Sequence, residues 1–336
     1  MFYDKLPGAN SPASAGQTAE GNLATCILLF GEVLVDCFPD REVAGGAPLN
    51  VAHHLARLGQ GVGVLPVLVT RIGKDEPGQR LLESIQAAGL PVDGVQQDCL
   101  HPTGTARIAL DASAGHRFEI APDQAWDFIH ADMARLVGLM SRPQWIYFGT
   151  LAQRAASRPA LRSLLQTTRA KGFLDVNLRD PWVRKDVLRW SLGKTEIVKM
   201  NEAELHRVAH MVGLGSGAPR ELARRLSHAY DIRNVLVTQG EQGAWLQTAD
   251  GACFQTHPAQ PVADVASEAV DSVGAGDAFA AVFLLGQTQG WPPQLTLDRA
   301  HQFAGQICRV RGAIPDSTDF YRPFIKAWDL AMERVT

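Results

Sequence analysis

Short apolar runs alternate with amphipathic stretches along most of this chain. The run 26–30, closed by Gly31, predicts a buried strand. After Gly45-Gly46-Ala47-Pro48, the residues Val51, Leu55 and Leu58 recur at helical spacing, and Gly59 stops them. A second strand is expected at 63–70 and a second helix at 76–88, ended by Gly89. Strand, helix, strand, helix implies a parallel sheet covered by helices. The period then changes. Polar and apolar residues alternate at 106–110 and 116–120, which predicts a hairpin with one wet face. We expect it to form a separate small sheet, drawn from about 95–122, with 35–44 placed to add a strand. The βα rhythm resumes with strands at 145–149, 173–177, 196–200 and 234–238 and helices at 157–170, 297–310 and 320–334. Asp250-Gly251 marks a hairpin turn between 244–246 and 253–255.

Composition narrows the class. Hydrophobic residues make up 46% and charged residues 20% of 336, the mix of a soluble globular protein, and the strand–helix order above makes the expected class α/β. A net charge of −3 argues against a nucleic-acid or anionic-membrane binder, and no apolar run is long enough to span a bilayer. Five scattered cysteines without a C-x-x-C pair suggest neither a disulfide framework nor a zinc site, which fits a reducing cytoplasm. Residues 1–24, rich in Gly, Ala, Ser and Pro, read as a flexible tail before one domain at 25–336. His53 and His54 read as helix surface.

The chemistry concentrates in the stretch Asp271-Ser272-Val273-Gly274-Ala275-Gly276-Asp277, which runs into an apolar helix. A Gly-rich turn at a helix start leaves backbone N–H groups unpaired, and these favour an anion. Asp277 beside them is either a helix N-cap or a base that takes a hydroxyl proton while the amides meet the developing charge. Other turns sit at strand ends, where α/β proteins place ligands. Gly45 and Gly46 allow close backbone approach, and Asn50 one turn later can aim its amide at a hydroxylated ligand. Asp36 is a turn residue or a ligand. Asn201 and Glu204 form either a capping box or a polar pair helping to hold a metal–phosphate group through water. Thr238, Gly240 and Gly243 make a further small-residue turn.

With these turns in order, the chain resembles the ribokinase-like (PfkB) carbohydrate kinases from about Cys26 to its last helix. Gly31-Glu32-Val33-Leu34-Val35-Asp36, Gly45 to Ala52 and Asp175-Val176-Asn177-Leu178-Arg179 make it most similar to the fructokinases. The resemblance implies a three-layer sandwich around a mostly parallel sheet, with the small sheet as a lid. It implies Asp277 as base and Gly274, Ala275 and Gly276 as the anion hole. Asp36, Gly45, Gly46, Asn50 and Arg179 would meet the sugar. Asn201 and Glu204 would serve magnesium and phosphate, and Thr238, Gly240 and Gly243 the nucleotide. A potassium ion is implied near Asp271, Val273 and Gly312, and a homodimer through the lid sheet.

The expected reaction is transfer of the γ-phosphoryl of ATP to the primary hydroxyl of a ketose, fructose foremost, with magnesium and no nucleic-acid or membrane partner. Two alternatives stand beside it. One is a kinase for 2-keto-3-deoxygluconate or another sugar. The other is a non-catalytic sugar or nucleotide sensor. The Walker pattern is absent, which excludes P-loop kinases, and Gly59-Gln60-Gly61-Val62-Gly63 follows a helix, out of context for a dinucleotide fingerprint.

Overall fold

The structure, a computed structural model, describes residues 24–111, 115–257 and 272–331. The expected tail, apart from Ala24, and Asp271 lie outside these residues. Helices cover both faces of the main sheet, so its strands need apolar residues at successive positions rather than at alternate ones. In β1 (Thr25–Phe30), Ile27 and Leu29 enter one core while Leu28 and Phe30 enter the other.

The strands that follow are β2 (Leu34–Cys37), β3 (Glu42–Gly45), β4 (Val64–Gly73), β5 (Val95–Asp98), β6 (Gly104–Asp111), β7 (Gly115–Ile120) and β8 (Trp145–Gly149). Then come β9 (Lys171–Asp175), β10 (Ile197–Asn201), β11 (Asn234–Thr238), β12 (Ala244–Thr248) and β13 (Cys253–Gln255). The central sheet runs β13-β12-β11-β10-β9-β8-β1-β4-β5, parallel except at β11–β12 and β12–β13. A second, mixed sheet runs β3-β2-β6-β7.

The helices are α1 (Ala47–Gly59), α2 (Glu76–Ala87), α3 (Ala131–Ser141), α4 (Ser157–Thr167), α5 (Lys185–Leu192) and α6 (Glu202–Val212). They continue with α7 (Pro219–Tyr230), α8 (Ala275–Gln289), α9 (Pro293–Ile307) and α10 (Arg322–Ala327). One face of the central sheet packs on α1, α2, α8, α9 and α10, the other on α3 to α7. Helix α8 is apolar all round because it lies inside the first of these layers, with Ala278 to Gly286 all buried. The three-layer sandwich with a small added sheet is the architecture expected from the sequence.

Several expectations change. The segment 95–122 does not act as one unit: β5 extends the edge of the central sheet by parallel pairing with β4, and the small sheet takes only β6 and β7 from it. Asp36 lies within β2, opposite Val43 of β3 and Ala106 of β6. His54 is fully buried, not surface. It packs edge-on against Phe303, and its Nδ1 lies 3.0 Å from the Tyr321 hydroxyl, because α1 is roofed by the segment 318–321. That segment also breaks the expected 320–334 helix into a short 3-10 turn and α10.

Candidate active site

The C-terminal end of the central sheet and the small sheet enclose a cavity of about 340 Å³. Its lining includes Asp36, Gly46, Asn50, Arg179, Gly274, Gly276 and Asp277, residues drawn from four separate sequence motifs. Val273 also lines it.

Backbone geometry fixes each contributor. Gly274 adopts φ +79° and serves as the N-cap of α8 without a side-chain hydrogen bond. A β-carbon at Gly274 would stand 2.3 Å from that of Ala313, so the turn tolerates no side chain there. Asp277 is therefore the third residue of the helix, not its cap. Its carboxylate accepts a hydrogen bond from the Asn50 side-chain amide at 2.8 Å. The Gly45-Gly46 turn is equally constrained. A β-carbon at Gly45 would lie 2.0 Å from Asp36 Oδ2, and one at Gly46 would lie 2.4 Å from the Glu32 carbonyl oxygen. Both glycines let the α1 start approach β2 closely enough to bring Asn50 and Asp36 onto one wall.

Three further charged residues share the cavity and were not singled out in the sequence as site residues: Glu32, Asp175 and Lys199. Lys199 Nζ lies 3.0 and 2.9 Å from the two carboxyl oxygens of Asp175, its register partner on the neighbouring strand. The Tyr147 hydroxyl donates to Asp175 at 3.1 Å. All three side chains are buried. The ammonium stands 3.4 Å from where a β-carbon of Gly276 would be, so a fixed positive charge adjoins the first turn of α8. That turn already carries the positive end of the helix dipole. Of the expected anion-hole amides, Ala275 N–H is bonded to the Ser272 carbonyl at 3.3 Å, whereas Gly274 and Gly276 line the cavity.

The electrostatics follow from crowding acids in a poorly hydrated space. Burial raises Asp277 to about 6, with Asp175 adding to the rise while the Asn50 hydrogen bond, Lys199 and Arg179 oppose it. Burial, then the Asp277 charge, raise Asp36 and Glu32 each to about 7. For Lys199, burial alone would favour the neutral amine, but the Asp175 carboxylate outweighs it and the pKa is raised.

The remaining expected residues lie at neighbouring strand ends. Asn201 and Glu204 form a reciprocal capping box at the start of α6, with bonds of 2.8 and 2.9 Å. The other Glu204 oxygen accepts from the Leu178 amide at 2.7 Å, holding the loop that carries Asn177 and Arg179 into the cavity. Thr238 pairs in register with Asn201, and Gly240 and Gly243 bound the turn that follows. Neither this group nor the Asn201–Glu204 pair lines the cavity. Gly312 sits in the turn after α9 with φ +89°. Among the described residues no cluster of three or more His, Cys, Asp or Glu is arranged to hold a metal ion.

A carboxylate held by an amide stands next to a helix start that carries extra positive charge, in a cavity walled by hydrogen-bonding groups. That arrangement suits the transfer of an anionic group to a hydroxyl. Comparison with known proteins agrees. The model of the pfkB family carbohydrate kinases matches residues 22–319. A fructokinase of Klebsiella pneumoniae is 31% identical over 84% of this chain and 91% of its own length. A cytidine kinase of Thermococcus kodakarensis is 30% identical over 82% of this chain and 95% of its own. The crystal structure of Xylella fastidiosa fructokinase with bound ATP superposes with a TM-score of 0.75 at 22% identity, covering 90% of this chain and 99% of that one. A 2-dehydro-3-deoxygluconokinase of Thermotoga maritima gives the same TM-score at 17% identity, with the same coverage. On the family match and the site together, this chain belongs to the pfkB family of carbohydrate kinases.

Proposed function

We propose that this chain transfers the γ-phosphoryl of ATP to the primary hydroxyl of a neutral ketose, fructose giving fructose 6-phosphate. The observation that carries the choice of sugar is the charge of the cavity. Glu32, Asp36, Asp175 and Asp277 face only Arg179 and Lys199 among its lining side chains. An acid sugar would bring another negative charge into an acid-rich space, whereas a polyol offers hydroxyl donors to carboxylate acceptors. The 31% identical fructokinase supports the same sugar.

In this reading the sugar lies between β2 and the start of α1, with its primary hydroxyl toward Asp277. Asp277, oriented by Asn50, accepts the hydroxyl proton. Phosphoryl transfer through a loose transition state asks mainly for position and charge stabilisation. The Gly274–Gly276 turn, the dipole of α8 and the Lys199 ammonium supply the latter. Arg179 meets the sugar side, and the nucleotide lies toward Thr238, Gly240 and Gly243. Magnesium, when bound, neutralises phosphate charge. The donor set fits an ion carried largely by the nucleotide and water, since Glu204 already commits both oxygens to backbone amides and Asn201 caps α6. Carbonyls near Val273 and Gly312, with Asp271, would hold a potassium ion.

The small sheet acts here as a lid whose open edges, β3 and β7, could also join two copies. A cytoplasmic site fits a chain in which no described helix is long and apolar enough to cross a membrane.

The test is a coupled ADP-release assay over ketoses, aldoses, nucleosides and sugar acids. Fructose should give the highest kcat/KM. A sugar acid or a nucleoside with the higher value would replace this reading.

A further inference from the structure

Glu32 stands between β1 and β2 on the floor of the cavity, and beyond its share of the cavity's charge the reaction above gives it no individual role. It is buried, at 5% exposure, and lines the cavity alongside Asp36, Asn50 and Asp277. One of its carboxyl oxygens, Oε2, is buried with no hydrogen-bond partner among the described residues. The Asn50 side-chain oxygen is in the same condition, its amide nitrogen being taken by Asp277. A buried acceptor left unpaired is costly, and folded proteins rarely keep one without a purpose. Two of them on one cavity wall call for a ligand that brings hydroxyl donors.

We propose that Glu32 is a specificity-determining residue that accepts a hydrogen bond from a hydroxyl of the sugar other than the one phosphorylated. The proposal rests on the ketose reading above. Position supports it. The Glu32 carbonyl is pressed against Gly46, so the backbone of residue 32 is fixed relative to the start of α1. Its side chain therefore springs from an anchored point on the cavity that Asn50 also lines. A rival occupant exists: Glu32 also lines a space of about 10 Å³ with Tyr147 and Asp175. That is room for about one water. A residue that only holds a water would support the fold without reading the sugar, and the two roles separate experimentally.

The experiment compares wild type, Glu32→Ala and Glu32→Leu, both of which remove the acceptor, with fructose and with its monodeoxy analogues at carbons other than the phosphorylated one. Circular dichroism and thermal melting confirm folding, and if Glu32→Leu does not fold, Glu32→Ala decides alone. In wild type, removal of one particular hydroxyl should cost up to about 100-fold in kcat/KM, the scale expected when one buried polar group loses its partner. Glu32→Ala should raise KM for fructose at least about tenfold with little change in kcat and in KM for ATP. It should also discriminate that same analogue from fructose by less than about tenfold. Unchanged KM, with the wild-type pattern of discrimination retained, overturns the assignment while leaving a ketose kinase. A sugar acid or nucleoside as the preferred acceptor overturns both.

Discussion

Asn50 on α1 and Asp277 on α8 meet through a 2.8 Å hydrogen bond, although 227 residues separate them. The two helices pack side by side over the central sheet, and the bond joins their N-terminal ends. The donor does two things for the carboxylate. It fixes which way the group points, and it favours the ionised form against the burial that opposes it.

Asp277→Asn should therefore preserve fold and sugar binding and lower kcat by roughly two to four orders of magnitude, the range for a positioned acid or base. Asn50→Ala should cost less in kcat and should move the acidic limb of the rate profile to higher pH, because the bond that favours the charged carboxylate is gone. Steady-state kinetics with isothermal titration of the sugar measures both. An Asp277→Asn protein that turns over at a near-normal rate would remove Asp277 from the role of base.

The pH dependence of activity and that of stability should run in opposite directions. A base at Asp277 must be ionised, and its pKa is raised from 3.8 to about 6. kcat/KM should then be flat above about pH 7 and fall tenfold per unit below about pH 6. Stability behaves otherwise. With Asp36 and Glu32 raised to about 7 and Asp277 to about 6, the folded chain holds protons that the unfolded chain has already released. These groups make the unliganded protein lose stability as pH rises from about 4 through about 7. Tm measured without ligand should fall over that interval, and Asp36→Asn should flatten the fall. An equally steep fall in Asp36→Asn would separate Asp36 from the effect.

The buried pair Lys199–Asp175 allows structural and chemical roles to be told apart. Removing one partner strands the other charge in a dry site, so Lys199→Met and Asp175→Asn should each destabilise by about 3–5 kcal/mol. The double variant should regain much of that loss. If the ammonium stabilises the moving phosphoryl charge, the double variant stays slow although it is stable again. Chemical denaturation and kcat on the same three proteins provide the comparison. Recovery of kcat together with stability would make the pair purely structural.

Much of this was legible in the sequence because of how strands and ligand loops divide the work. A strand buried on both faces must be continuously apolar, so 145–149 and 234–238 could be bounded to the residue. Glycines bunch where backbone must come close to something, and all of those expected at the sugar side and the anion hole border the cavity or its walls. Other features depend on neighbours that a linear pattern does not reveal. Val95–Asp98 has one apolar residue in four and no pattern that assigns it to either sheet, and only its register with Thr70–Gly73 makes it an edge of the larger one. His54 looks like a surface residue until the segment 318–321 covers it. Glu32 and Lys199 were hidden in apolar surroundings, yet that was itself a signal. A single lysine within the buried strand Ile197–Asn201 requires a counter-charge, and the acid ending the preceding strand is the obvious candidate.

The clearance at Gly45 has a consequence for descent. A β-carbon there would overlap the Asp36 carboxylate, so position 45 cannot gain a side chain while the acid at 36 is kept in place. Across relatives, a side chain at position 45 should be found only where position 36 has become smaller or has lost its acid. Such chains would mark lineages that have exchanged their sugar. The two positions form an inherited unit, and their joint variation would sort the members of the family by acceptor.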